Sequence, residues 1–488
     1  MANVAGRRAV VVGAGPNGLS AAITLARAGV RVEVLEANAE IGGGARTEEV
    51  TLPGFWHDTG SSVYPMGKSS PFFRTLPLEQ FGLRWIEPEA PLAHPLDDGT
   101  AVMLEHSLEE TAAGLGEGGA AYRRMMEPLV ESWPELVGEL LGPVVHVPKS
   151  PIGLARFGMQ AVLPATVLGK MVFGSGAGGE RGRALLAGLA GHSVMPIDTV
   201  MSAAVGLVLG AGGHAYAEGS GNGFGGWPVV EGGAGRLTAG LAGYLRSLGG
   251  KIRTGVRVES LRELAGADAV LCDVTPRQLL RMGAEEMQAG NRRLMERFAY
   301  GPGVFKIDWA LREPIPWTAG ECGRAATVHL GGSMEEITVS ERAAHEGRVS
   351  ERPFVILVQP SLFDSTRAPA GGHTAWGYCH VPNGWEGDAT GLVEEQVERF
   401  APGFREVVVG RKVWGTRALE AWDANLVGGD LQGGAMTPWQ MAIRPTPRLW
   451  ETSVDGVFLC SSSTPPGGGV HGMCGYLAGR KALAYLGR

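Results

Sequence analysis

Charge is scarce in this chain: Asp, Glu, Lys and Arg together supply 19% of its 488 residues, where about 25% is usual. The basic residues are the fewer, 43 Lys and Arg against 50 Asp and Glu, for a net charge of −7. No cationic field draws in a phosphate backbone, so nucleic acid is not an expected partner. Cysteine is scarce as well. Cys272, Cys322, Cys379, Cys460 and Cys474 are odd in number, far apart and without a CxxC, which argues against a disulfide framework and a zinc module and fits a reducing, cytoplasmic setting. There is no run of 18 apolar residues; a spanning helix is excluded, although one lying on a membrane surface is not. Arg7-Arg8 imitates a twin-arginine signal, but the apolar run after it breaks at Gly13, Gly15, Pro16 and Asn17. It reads as mature protein.

Glycine is what the chain has in excess. There are 77 glycines, roughly one residue in six where an average chain has about 7%. They keep no every-third-residue period, and 44% of the chain is hydrophobic, so collagen and disorder are excluded. At roughly 150 residues per domain the length suggests two or three folding units.

The first fifty residues place some of that glycine. An apolar run over 8–12 ends in Gly13-Ala14-Gly15-Pro16-Asn17-Gly18, a helical pattern follows over 19–28 to a stop at Gly29, and a second strand over 30–35 ends in Glu36. This is the strand, turn, helix and acid of a dinucleotide fold. Gly13 permits the turn, Gly15 lets backbone approach a pyrophosphate, Gly18 allows close helix packing, and Glu36 accepts ribose hydroxyls.

Next comes Ile41-Gly42-Gly43-Gly44-Ala45-Arg46-Thr47, which resembles the GG-x-x-R-[ST] signature of two-domain flavoproteins of the glutathione reductase type. The resemblance selects FAD over NAD and gives Gly42, Gly43 and Gly44 a place beside the diphosphate, with Arg46 as its positive partner. The segment from Gly54 through Gly60 to Ser61 resembles the stretch after that signature in phytoene desaturase-like and amine oxidase-like flavoproteins. Near the other end, a strand over 457–460 leads through Ser461, Ser462, Gly467, Gly468, Gly469, Val470 and His471 into a helix ending near Leu486, and this looks like the closing flavin-binding motif of the phytoene desaturase-like family. Many superfamily members carry an acid after that strand; Ser461 and Ser462 stand here instead. Gly232-Gly233, a helix and a strand over 251–258 repeat the family's central order, with Val256 and Val258 flanking the adenine. Only a short stretch through Leu264 follows before residues 269–276, so the usual three-stranded meander is cut to a stub.

The resemblance therefore implies an α/β fold with two parts. A discontinuous Rossmann-like FAD-binding domain takes residues 1–75, 229–290 and 440–488, and an α+β substrate-binding domain with a mixed sheet and helices takes 76–228 and 291–439. Most tryptophans fall in the second, including Trp85, Trp133, Trp309, Trp317, Trp376, Trp385, Trp414, Trp422 and Trp439; most are core, and the composition suits an apolar cavity.

Two residues are candidates for chemistry. Lys306, on a strand over 304–311, matches the amine oxidase lysine that holds water at flavin N5; the alternative is a surface lysine on a half-exposed strand. His471 is a polar contact or proton donor beside the flavin, or else a structural cap. His471 and Cys474 are spaced i, i+3, but too few further ligands lie near for a metal site, and none is expected. His57, Asp58, His192, His214 and His380 are scattered singly and read as structural. Ala435 stands where monoamine oxidases carry their flavin-linked Cys, so the FAD is expected to be non-covalent, and Met436 and Val470 occupy the positions of the amine-binding aromatic cage. Val208-Leu209-Gly210-Ala211-Gly212-Gly213 imitates a second dinucleotide turn but sits in an apolar helical pattern; no tightly bound NAD(P)H is expected.

The implied activity is hydride transfer between an unactivated C–H of an apolar, isoprenoid or polyene substrate and flavin N5, with oxygen or a quinone as electron acceptor. The alternatives are a flavin-dependent isomerase or saturase, and further off an amine oxidase or a non-catalytic flavoprotein. Residues 155–173 either lie on a membrane and admit a lipid-borne substrate or form a core or channel-lining helix interrupted at Pro164. The glycine runs 174–182 and 219–226 read as loops of the second domain.

Overall fold

A computed structural model describes residues 4–215 and 225–488. The strands that organise it are β1 (Arg8–Val12), β2 (Arg31–Leu35), β3 (Ala90–Pro95), β4 (Ala101–Leu104), β5 (Lys251–Arg253), β6 (Ala269–Cys272), β7 (Gly303–Leu311), β8 (Ala325–Leu330), β9 (Val355–Val358), β10 (His373–Val381), β11 (Val408–Trp414) and β12 (Val457–Leu459). The helices that bear on the site are α1 (Pro16–Ala26), α2 (Pro151–Ala161), α3 (Ala165–Phe173), α4 (Glu180–Gly191), α5 (Ala203–His214), α6 (Ala234–Ser247) and α7 (Met473–Leu486).

One sheet is parallel throughout, in the order β12-β6-β1-β2-β5. A parallel sheet is covered on both faces, so its strands read as continuous apolar runs; β1 accordingly buries Ala9, Val10, Val11 and Val12 in succession. A second large sheet runs β11-β7-β10-β9-β8-β3-β4 and is antiparallel except where β3 lies parallel to β8. The architecture is a Rossmann-like parallel sheet joined to an α+β unit with a mixed sheet. Every strand of the first sheet comes from residues 1–75, 229–290 or 440–488, and every strand of the second from the remaining segments.

Two of the glycines explain how the first unit packs. A Cβ on Gly18 would stand 2.1 Å from Gly13 O, and one on Gly475 1.8 Å from Asn17 O. Helix α1 therefore lies tight on its own turn and α7 tight on α1, approaches that a methyl group forbids. Leu19, Ile23 and Leu25 of α1 join Ala478, Ala482 and Leu486 of α7 in a core that continues into Trp133, Leu185 and Leu207 of the second unit. A separate core under the second sheet gathers Phe305, Trp309, Val393 and Phe404.

Several boundaries differ from those the sequence suggests. Helix α1 starts at Pro16, because proline at the first helical position gives up no hydrogen bond. Strand β5 stops at Arg253, although Val256 N–H still donates to Glu36 O at 2.8 Å. Between β5 and β6 the chain forms a 3₁₀ turn at Leu261–Leu264, closed by a capping box from Ser260 and Glu263, and no strand. The run 174–182 is not all loop: α4 begins at Glu180, and Gly182 admits the Phe173 ring against the helix. Residues 219–224 lie outside the described residues. The imitation turn at 208–213 is part of α5.

Candidate functional site

A cavity of about 430 Å³ opens where the carboxyl ends of β1 and β2 face the second sheet, the crevice in which open parallel sheets hold their ligands. At one end stand Glu36, Asn38, Val256 and Val258, in the middle Gly13, Gly15, Pro16, Asn17, Gly43 and Gly44, and beyond them Gly60, Ser61, Ser462, Gly469 and Val470. Segments from three distant parts of the chain thus share one wall.

The middle is a backbone cradle. Gly13 takes a φ of +104°, a conformation that strains any residue with a Cβ, and its N–H donates to Leu35 O at 2.8 Å. A Cβ on Gly15 would lie 3.7 Å from Gly43 Cα, so the two glycine turns face each other across a gap no side chain fills. Asn17 Oδ1 is buried without a hydrogen-bond partner among the described residues, and rotation of the amide presents either its oxygen or its nitrogen. Both Glu36 oxygens accept one backbone N–H, from Ala14 and from Asn38, each at 2.8 Å. Each keeps a second lone pair for a ligand hydroxyl.

Four residues expected at the cofactor stand behind this wall. Gly18 packs on Gly13, as above. Gly42 donates to Ala14 O, and Gly468 packs against Gln432. The Arg46 guanidinium donates to Gly43 O and Trp422 O and stacks 4.0 Å over the Trp422 ring; its charge backs the glycine turn instead of reaching the cavity surface.

The catalytic candidates are placed differently from the sequence expectation. Lys306 is no surface lysine: β7 is buried along its whole length. Its ammonium donates to Asp308 at 2.5 Å and lies 5.0 Å from the Trp376 ring; Trp376, not Lys306, lines the cavity. Burial lowers the Lys306 pKa, against the opposing pull of Asp308. His471 precedes α7, and its Nδ1 accepts the Met473 N–H. Burial pushes it down to about 4, so it is a neutral cap at neutral pH and contributes no cation to the cavity. Cys474, spaced i, i+3 from it, donates to Thr464 O and Gly467 O. Met436 does not line the cavity; Val470 does.

Groups that look isolated in the sequence converge instead. Arg367, fully buried, donates to Asp58 at 2.8 Å and to Asp364 at 2.7 Å. Asp58 also accepts from Thr47, Ser62 and the Ala234 N–H, while Asp364 accepts from the Gly232 N–H. Ser62 in turn accepts from Trp376 Nε1 at 2.8 Å. The network ties the N-terminal segment, the central glycine turn and β10 together behind the cavity wall. His57, beside it, is pushed down to about 3 by burial and by Lys306. His94, His192 and His329 meet across β3, β8 and the end of α4. Arg367–Asp364 and Ser62–Asp58 are local pairs, but Arg367–Asp58, Trp376–Ser62 and His192–His329 each span more than a hundred residues, and no motif announced them. Trp376, named above only among the tryptophans of the second domain, stacks at 5.9 Å with Tyr378, and both line the cavity.

Asp273, at the end of β6, is a further residue that no sequence pattern singled out. Its carboxylate accepts the Gly18 N–H at 2.8 Å, at the N-terminus of α1 where a ligand anion would sit. Burial raises its pKa to about 7, and Asp423 and Glu36 add to the rise. A carboxyl whose folded pKa is raised stabilises the fold below its unfolded value, and that stability is lost as pH rises through the folded one. Asp273→Asn is therefore expected to melt higher than wild type near pH 8 and level with it near pH 4. A lower melting temperature for the variant at pH 8 would show that the charged form is the favoured one.

The sequence profile of the NAD(P)-binding Rossmann-like domain family matches residues 11–76. Pyridine nucleotide-disulfide oxidoreductase domain-containing protein 2 of Rattus norvegicus is 26% identical, with 96% of this chain and 91% of that protein aligned. All-trans-zeta-carotene desaturase of Myxococcus xanthus is 26% identical over 95% of this chain and 90% of its own. Among solved structures, an oxidoreductase from Methanosarcina mazei superposes with a TM-score of 0.62 at 15% identity, covering 98% of this chain and all of that one. These likenesses show a Rossmann-like fold.

Proposed function

We propose that this protein is an oxidoreductase that binds FAD non-covalently and acts on an apolar, isoprenoid or polyene substrate, desaturating it. The observation that carries the reading is one cavity that runs from a dinucleotide cradle to a chamber walled by Leu209, Trp227, Ile356 and Val358 between the two sheets. The cradle suits FAD: facing glycine turns, Glu36 with free lone pairs, and the unpartnered amide of Asn17. The 26% identity to a carotene desaturase along nearly the whole chain supports the substrate class.

When bound, FAD supplies a hydride acceptor. The chain's own residues bind, orient and exclude water. Trp376 and Tyr378 form an aromatic wall held in place by Ser62 and the Asp58–Arg367 network. An apolar chain packs against Leu209 and Ile356, each contributing roughly 20–30 cal/mol per Å² of surface removed from water. Electrons leave to oxygen or a quinone.

The test is the absorption spectrum of the purified protein, followed by anaerobic titration with polyenes, fatty acids and amines. Bleaching of a bound flavin by a polyene is expected. Bleaching by amines alone would replace the reading with amine oxidation, and isomerisation that needs pre-reduced flavin would make the protein an isomerase. A colourless protein that cannot be reconstituted with FAD would refute the central claim.

The substrate's route is also part of the proposal. Residues 155–173 are two helices, α2 and α3, that meet at 98°, and no single described helix is long and apolar enough to cross a membrane. Phe157, Leu168 and Phe173 face the core, but Ile152, Met159 and Met171 are 69%, 69% and 70% exposed, near exposed Arg156 and Lys170. Such a surface suits peripheral contact with an anionic bilayer. Co-sedimentation with vesicles containing phosphatidylglycerol is expected, and Met159→Glu should abolish it; equal recovery with and without vesicles would remove membrane contact from the proposal.

A further inference from the structure

The apolar chamber has a polar end. Register pairs Thr327 of β8 with Val358 of β9, Val358 with Trp376 of β10, and Ile356 with Tyr378, so these side chains share the sheet face that lines the cavity. His192, at the end of α4, lines the same region and meets the Trp227 ring edge-on at 5.8 Å.

A chamber for bare hydrocarbon needs no polar groups, and burying unpaired ones is costly. Three are present here. The Thr327 hydroxyl is buried without a hydrogen-bond partner among the described residues. Tyr378 and His192 are only partly buried and line the cavity; the Tyr378 hydroxyl and His192 Nδ1 make no hydrogen bond to another described residue, while the other His192 nitrogen is taken: Nε2 lies 2.7 Å from His329 Nε2.

That contact fixes which His192 nitrogen carries the proton. Burial pushes His192 down to about 3 and His329 well below its ordinary value, so both rings are neutral and one Nε2 donates to the other. Were His192 the donor, His329 would hold its proton on Nδ1, which is buried and has no partner. A buried N–H without an acceptor is rarer and more costly than a buried lone pair. His192 is only partly buried and lines the cavity, so an N–H on its Nδ1 meets solvent or a ligand, whereas one on His329 Nδ1 meets nothing; His329 is therefore the donor, and His192 carries its proton on Nδ1. His94 follows the same pattern, with Nε2 set 2.7 Å from Gly332 O and Nδ1 left as a lone pair.

We infer that this end of the cavity is an anchor for a single neutral oxygen atom of the substrate, which accepts a hydrogen bond from His192 Nδ1–H beside the Thr327 and Tyr378 hydroxyls. The substrate class becomes an apolar isoprenoid chain bearing a carbonyl or hydroxyl at one end. A carboxylate is disfavoured because this end of the cavity carries no cation among its described lining residues; Lys306, behind Trp376, is paired with Asp308. The inference rests on the flavoprotein reading above but is separable from it.

The purified flavoprotein is titrated with matched isoprenoids, the hydrocarbons myrcene and farnesene against geraniol, farnesol, their aldehydes and farnesoic acid, with the flavin difference spectrum and calorimetry as readouts. Alcohols or aldehydes are expected to bind about tenfold tighter than the matching hydrocarbon. His192→Phe, which keeps a ring and loses the donor, should collapse that preference to within about twofold. His192→Asn, whose amide nitrogen reaches the place of Nδ1, should restore part of it. Flavin content and melting temperature of each variant establish that it is folded. Equal binding of hydrocarbon and alcohol, no binding of any oxygenated member, preference for the acid, or undiminished discrimination in His192→Phe would each overturn the anchor. Absence of flavin from the wild type would instead overturn the cofactor reading.

Discussion

Gly15→Val is expected to fold and to lose its flavin. Gly15 has φ −75° and ψ 175°, extended backbone that valine adopts without strain. A Cβ there would lie 3.0 Å from Asp273 Oδ2 and 3.7 Å from Gly43 Cα. The isopropyl group would thus fill the gap between the two glycine turns proposed to pass the diphosphate, while the packing of α1 on α7 is untouched. A loss of at least ~100-fold in FAD affinity, about 2.7 kcal/mol, is the expected scale. The measurements are flavin-to-protein ratio after purification and FAD titration followed by flavin fluorescence. A variant that keeps stoichiometric flavin would show that the diphosphate lies elsewhere. Gly18→Ala makes the contrast: its methyl group meets Gly13 O at 2.1 Å, so it should lower stability whether or not FAD is present.

The second large effect belongs to Arg367→Met. The substitution removes the cation between two buried carboxylates while filling much of its volume. Removing one partner from a buried pair strands the other as an uncompensated charge and costs about 3–5 kcal/mol. Here two are stranded. Burial by itself would raise the Asp58 pKa, but the charge and hydrogen bonds of Arg367 hold it below the ordinary value. A depressed carboxylate stabilises the fold above its unfolded pKa and loses that stability as pH falls through its folded one. The deficit of the variant is therefore largest near neutral pH and narrows as pH falls below about 4, as Asp58 takes up a proton. Urea denaturation at the two pH values measures it. Adding Asp58→Asn to Arg367→Met should recover part of the loss, a coupling that independent sites do not show. Flavin should also be held less tightly, since Ser62 and Trp376 hang from the same network. A variant as stable as wild type would mean that the pair is replaceable by apolar packing.

How legible the molecule was in its sequence depended on distance along the chain. The unit from Arg8 to Glu36 was readable because strand, turn, helix and acid are neighbours, and each link is local: β-branched runs, a glycine at positive φ, proline at the first helical position. Gly13, Gly15, Asn17 and Glu36 accordingly line the cavity as their spacing implied. Arg46 and His471 were nominated by the flavoprotein motifs at 41–47 and 461–476, yet one stacks on Trp422 and the other caps α7. A motif places a residue's backbone, whereas its side chain answers to neighbours that arrive from elsewhere. The stretch 155–173 shows the converse: its apolar composition was plain, but only the bend at Pro164 decides which apolar residues face out.

By itself the sequence determined the class of fold, the dinucleotide cradle and the scarcity of charge, because these depend on short-range geometry and composition. It also placed part of the glycine excess at turns beside that cradle. What only the tertiary structure decided is how buried polar groups are paired. Asp58 meets Arg367 across 309 positions, His192 meets His329 across 137, and Gly18 meets Asp273 across 255. Single acids and histidines carry no periodicity for a reader to follow, and in water each would be satisfied where it stands. Burial removes the water, and each group must then find a partner among residues that strand order and helix packing bring near it.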